Sequence, residues 1–239
     1  MTVRRTRMLG SHGGDDFYSR KRFLDLLFDA VRFAELADDE QKASPDGPTE
    51  KEEMLARAAV IHACLMLECA ANCCLDAMRV SKRLEEEVER LNPIAKFELY
   101  VAIMVAGKRF DRGSRPVQEA AELQDIRNDY VHPKVVTMQM QDIAPDAKEV
   151  DFGATHHLKI PNDQEEWDYS VAIRALKAAC GFVDYFFLEL CRYDQNTTLE
   201  ILISSRRAEF PTKGGYSVVL EPFRRARAEW KIPMRFLGE

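Results

Sequence analysis

The chain reads as an all-α protein: a helical bundle with an inserted β-hairpin and a C-terminal extension. Apolar residues recur every three to four positions over long stretches, the period of a helix with one buried face. Start signals at Thr49, Asn92-Pro93 and Ser114, and a stop signal at Gly107, punctuate those stretches. Alternation with period two, the mark of a half-buried strand, is confined to parts of 134–160.

Residues 1–14 are polar and hold Gly10, Gly13 and Gly14, so they form a loose N-terminus ahead of a bundle spanning 15–196. Phe23, Leu24, Leu27, Val31, Ala34 and Leu36 define a first helix from about Phe17 to Ala37. A polar connector with Pro45, Gly47 and Pro48 follows, and Thr49 three residues before Glu52 makes a capping box. The helix it opens runs to about Val80 and is apolar enough to be the centre of the bundle. Ser81 caps a short helix through Leu84, Val88 and Leu91. Asn92-Pro93 opens another, through Phe97, Tyr100 and Met104, which stops at Gly107. After a loop, Ser114 caps the helix that carries Leu123, Ile126 and Tyr130. Alternation around Val135 and Thr137, and again around Phe152 and Leu158 with Asp146 in the turn, predicts a β-hairpin inserted at 134–160. A long helix from about Glu165 to Tyr193 closes the bundle. In the extension, 197–239, Leu199–Ile203 suits a strand or a helix, and Glu221–Lys231 reads as a basic amphipathic helix packing on the bundle.

With 239 residues the chain can bury a sizeable core, and its 46% hydrophobic and 31% charged residues are ordinary for a soluble globular protein. A net charge of -6 excludes a general DNA-coating protein, so any nucleic-acid contact needs a local basic patch. The six cysteines form no CxxC pair and sit in apolar helical segments, as expected of buried thiols in a reducing compartment. No apolar stretch follows the basic N-terminus, and the most apolar segment, 58–78, carries His62, Glu68 and Asp76. A cytoplasmic protein with a core helix, not a membrane protein, is expected.

The hexapeptide Arg127-Asn128-Asp129-Tyr130-Val131-His132 concentrates the chemistry. RNA is cleaved by its own 2′-hydroxyl when a base takes that proton, an acid protonates the leaving 5′-oxygen and cations stabilise the phosphorane. His132 suits either proton role, and Arg127 offers two parallel donors to phosphate with a charge it cannot lose. Asn128, four residues before His132, can orient imidazole or phosphate. Arg127 and His132 lie about 140° apart around a regular helix, and Pro133 disfavours helical geometry at His132. They converge only across a cleft, through helix distortion, or in a groove between two protomers. The competing reading gives the same residues packing roles: an arginine paired with a carboxylate, an asparagine in a turn, and a histidine ending a helix.

The run Leu91-Asn92-Pro93, Lys96-Phe97-Glu98-Leu99, Gly107 to Ser114, Leu123 to Asn128 and Val131-His132-Pro133-Lys134 resembles the HEPN superfamily of small helical bundles. The sharpest match is to its R-N-x-x-x-H motif, here Arg127, Asn128 and His132, and the resemblance covers about residues 50–136 with 165–193 as closing helix. It implies a metal-independent endoribonuclease that acts as a homodimer and leaves a 2′,3′-cyclic phosphate, in a toxin–antitoxin, defence or stress system. A nucleotidyltransferase-type antitoxin is the partner it suggests. The alternative it equally allows is an inactive RNA-binding or protein-interaction scaffold. The segments 134–160 and 197–239 fall outside the common core.

Glu68 and Asn72 sit in the apolar second helix, where a buried carboxylate needs a partner, and Arg127 is the candidate; Tyr130 is a further supporting residue. Lys108, Arg109, Arg112 and Arg115 ahead of the motif helix, with Lys134 after it, are candidates to grip RNA phosphates, against the reading of a solvated loop. Arg224, Arg225, Arg227 and Lys231 form a second basic face. His62 reads as a satisfied core histidine, and His156-His157 lacks any spacing that completes a metal-ligand set, so neither a metal nor a cofactor is expected. No glycine-rich phosphate loop speaks for a nucleotide sensor.

Overall fold

Helix α2 (Glu50–Met78) sets the architecture because its sequence leaves almost no polar face. Ala56, Ala59, Val60, Ala63, Met66, Ala70 and Ala71 are fully buried, and the alanines let neighbouring helices come close. In the computed structural model α1 (Phe23–Ala43), α4 (Pro93–Met104), α5 (Arg115–Val131), α6 (Tyr169–Asp184) and α7 (Gln195–Ile203) all pack on it. The structure describes residues 21–44, 47–135, 137, 140–144, 147–203 and 221–238; the expected loose segment 1–14 lies outside them. By length and composition α2 is apolar enough to cross a membrane, and here it is the central helix of the bundle.

The capping residues act locally and at long range. Thr49 Oγ1 accepts from the Glu52 backbone N–H at 3.1 Å, opening α2. The Glu52 side chain also makes a tertiary bond: buried, it accepts from the Tyr169 N–H at 3.2 Å, tying the first turns of α2 and α6 together. Burial pushes the Glu52 carboxyl up, and its Oε2 has no hydrogen-bond partner. Asn92 caps α4 through the Ala95 N–H at 2.8 Å, with Pro93 in the first turn. Ser81 and Ser114 occupy the N-cap positions of α3 (Lys82–Val88) and α5 without accepting a capping bond; Ser114 donates instead to the Asp111 carbonyl at 2.9 Å.

The closing helix begins at Tyr169, later than the apolar period implies, because Asp168 caps it by accepting from the Val171 N–H at 2.9 Å. Beyond Asp184 it widens into a π-helical segment, Tyr185–Leu190. That turn sets Phe186 against Phe97 and Phe182, with ring centroids 4.6 and 5.9 Å apart, at the centre of the core.

The hairpin is short: β1 (Gln141–Ala144) pairs antiparallel with β2 (Ala147–Glu149), Gln141 opposite Glu149 and Asp142 opposite Lys148. Its expected turn at Asp146 lies outside the described residues. The alternation around Phe152 and Leu158 does not extend the ladder, because Asp151 accepts from the Gly153 N–H in a tight turn (2.7 Å) and Lys159 is left-handed at φ 53°.

In the extension, Leu199–Ile203 is helical, within α7. The cations expected on α8 (Glu221–Ala228) are engaged within the chain. Arg225 forms ion pairs with Glu35, Asp38 and Asp39 of α1 and with Glu229, while Arg227 and Lys231 donate to the Met234 and Ala228 carbonyls. The chain end is latched by buried Asp184, which accepts from the Phe236 and Arg235 N–H groups at 2.8 and 3.2 Å and pairs with the Arg235 guanidinium at 3.1 Å.

Candidate functional site

Helix α5 buries Val117, Ala120, Leu123 and Ile126 on one stripe, which turns Arg127 toward α2. The two helices lie close enough for the Cys64 thiol to donate to the Leu123 carbonyl at 3.1 Å. Arg127 Nη2 pairs with Glu68 Oε2 at 3.1 Å, and Nη1 donates to Asn128 Oδ1 at 3.2 Å. Its Nε is buried without a hydrogen-bond partner. A guanidinium has five donors, so these bonds fix the group's plane and leave donors unused. The pairing of Glu68 with Arg127 is the one the sequence suggested.

Arg127, Asn128 and Glu68 line a cleft of about 300 Å³ between α2, α5 and the start of α4, which also takes in Glu89, Arg90, Asn92 and Lys96. Lys96 is 4% exposed, and its Nζ donates to Asn72 Oδ1 at 2.8 Å. Burial pulls the Lys96 ammonium down, against the pull of Glu68 and Glu89. Asn72 thus holds the lysine. Three cations and two carboxylates share the cleft, so it is mixed in charge and not a purely positive trench. Sequence reasoning missed Lys96 as a site residue; the only signal was a lysine beside Ile94 and Phe97 on an otherwise apolar face.

His132 does not join them within one chain. It is the C-cap of α5, at φ -123° and ψ 60°, with its N–H donating to the Asn128 carbonyl at 2.9 Å and its ring exposed outside the cleft. The five-residue spacing and Pro133 account for this: the chain leaves the helix where the imidazole would otherwise begin another turn. Tyr130 and Lys134 are exposed beside it. Tyr130, Val131 and Val135 form an exposed apolar fringe around His132, with Val135 fully exposed.

The loop cations lie at the other end of α5, about 18 Å from Arg127 along the axis. Arg112 is engaged by Glu98 (Nε at 2.9 Å) and Arg115 by Glu119 (2.7 Å), which reduces their charge for a ligand. Arg109 is exposed and Lys108 half-buried. His62 contacts the Ala58 carbonyl at 2.8 Å and sits half-buried against Phe33, in keeping with a packing role.

The His156-His157 pair, which finds no ligand partner by sequence spacing, lies beside Glu122 of α5. Nothing local in the sequence points to a carboxylate 34 residues upstream. Comparison of the chain with family models, with curated proteins and with solved structures gives no match.

Proposed function

We propose that this chain is a HEPN-type endoribonuclease that cuts RNA without a metal and works as a homodimer. The reading rests on one observation above others: Arg127 is oriented at a cleft by Glu68 and Asn128, with a buried Nε left unpaired. A phosphate oxygen is the ligand class that a fixed, partly unsatisfied guanidinium suits best. In this reading Arg127 stabilises the dianionic phosphorane, Asn128 positions the arginine, and His132 moves the proton of the 2′-hydroxyl or of the leaving 5′-oxygen. The imidazole comes from the second chain, and the apolar fringe of Tyr130, Val131 and Val135 supports a contact there, since such surface is normally covered.

The test is cleavage of a labelled RNA by the full chain in EDTA, comparing wild type with Arg127→Ala and His132→Ala. Removing the histidine lowers the rate by about 10²–10⁴ with an unchanged melting temperature, because its ring is exposed. Products carry 2′,3′-cyclic phosphate and 5′-hydroxyl ends. Activity that disappears with chelator and returns with metal contradicts the mechanism.

A second reading, an RNA-binding or protein-interaction scaffold, is favoured by the Arg127–Glu68 ion pair, which also serves to hold α5 on α2. Under it Arg127→Ala lowers the melting temperature and there is no cleavage to lose.

A further inference from the structure

Residues 151–163 form a tightly braced loop on the outer side of α5. The Thr155 N–H donates to the Ile160 carbonyl and the Asn162 N–H to the Gly153 carbonyl, each at 2.9 Å. Arg174 reaches across from α6 to the Lys159 carbonyl at 2.5 Å, and Lys159 itself is held in the left-handed region at φ 53°. A lysine in that conformation is strained, and such strain persists only where the surroundings over-determine it. The effect of the turn is to bring two consecutive histidines, whose rings would point apart in a strand, onto the same side.

Their rings share a hydrogen bond, His156 Nδ1 and His157 Nε2 lying 3.3 Å apart with the proton on one of the two. Glu122 completes the group: one ligand atom from each of the three residues lies within 4.8 Å of the others. Two nitrogens bound to one tetrahedral ion at about 2.0–2.1 Å are separated by about 3.3–3.4 Å. The histidine pair already has that spacing.

We propose that Glu122, His156 and His157 form a binding site for a divalent transition ion of the zinc class, clipping this loop to α5. The ion replaces the hydrogen bond between the rings: the protonated ring passes to its other tautomer, so that His156 Nδ1 and His157 Nε2 both donate lone pairs and the ring protons sit on the opposite nitrogens. Glu122 supplies the third ligand; its two oxygens each accept one backbone bond, from the His157 and Leu158 N–H groups at 2.7 and 2.9 Å, and a carboxylate has about four lone-pair sites. Those backbone bonds hold the carboxylate in place, as outer partners of metal ligands do. Water fills the remaining coordination. The mixed nitrogen and oxygen donors suit zinc, copper(II) or nickel over magnesium or calcium. The site is separate from the cleft: Glu122 precedes Arg127 by five residues, about 140° around α5. It therefore fixes the helix that carries the arginine and takes no part in the proposed RNA chemistry.

The experiment is a zinc titration of the full chain, stripped with chelator and dialysed, against a chromophoric competitor, for wild type, His156→Ala and His157→Ala. Wild type binds one equivalent, and each variant binds at least about tenfold more weakly. Zinc raises the melting temperature of wild type and not of His156→Ala, whose exposed ring leaves the metal-free melting temperature unchanged. Cobalt(II) gives d–d absorption without a thiolate charge-transfer band. No saturable binding by wild type, wild-type affinity in both variants, or thiolate absorption pointing to the cysteines would each overturn the site. None of these outcomes depends on whether the chain cleaves RNA.

Discussion

Arg127 is the residue around which the cleft is organised. Its pair with Glu68 is roughly one-quarter to one-third exposed, between the surface and buried regimes. Glu68→Ala is expected to lower stability by about 1–2 kcal/mol, more than a surface pair and less than a buried one; denaturant midpoints measure it. In the nuclease reading the same substitution also weakens RNA cleavage, because the guanidinium loses the group that holds its plane. The pairing was legible in the sequence, since a carboxylate in an apolar helix demands a cation. Lys96 and Glu122 were not, because each acts through contacts made by tertiary packing alone: Lys96 through Asn72, and Glu122 through backbone N–H groups 35 and 36 residues away.

At the level of elements, side chains that begin as caps go on to join helices. Glu52 is the case with a pH signature. Its carboxyl is raised by burial above its ordinary value of 4.5, so between the two values the folded state keeps more of this proton than the unfolded state does. Its contribution to stability is then full below the ordinary value and is lost as pH rises through the raised one. Glu52→Gln keeps an acceptor for the Tyr169 N–H and removes that loss, so its stability falls less between acid and neutral pH than that of wild type, as parallel melts across pH will show. Asp184 is the comparable latch at the chain end. Asp184→Ala strands the Phe236 and Arg235 N–H groups and is expected to cost about 3–5 kcal/mol, with faster hydrogen exchange confined to the final residues. Helix positions were readable because Thr49 and Asn92-Pro93 act within one turn. The hairpin inside 134–160 was legible from its alternation, though not how short it is; the π-helical segment was not, since the packing of Phe186 against Phe97 leaves no local signature.

For the molecule as a whole, a helical bundle follows from an apolar α2 wrapped by five other helices, and the site follows from where α5 ends. One chain holds the arginine in a cleft and the histidine outside it. In the nuclease reading a second chain therefore supplies the missing group, and an isologous pair makes two equivalent sites, each with Arg127 from one chain and His132 from the other. Mixing inactive Arg127→Ala with inactive His132→Ala, after unfolding and refolding together, tests this most directly. Heterodimers then contain one intact site, and RNA cleavage returns to about one quarter of the wild-type level for random pairing of a two-fold dimer. A mixture as inactive as either variant alone, while wild type cleaves, would contradict the shared site.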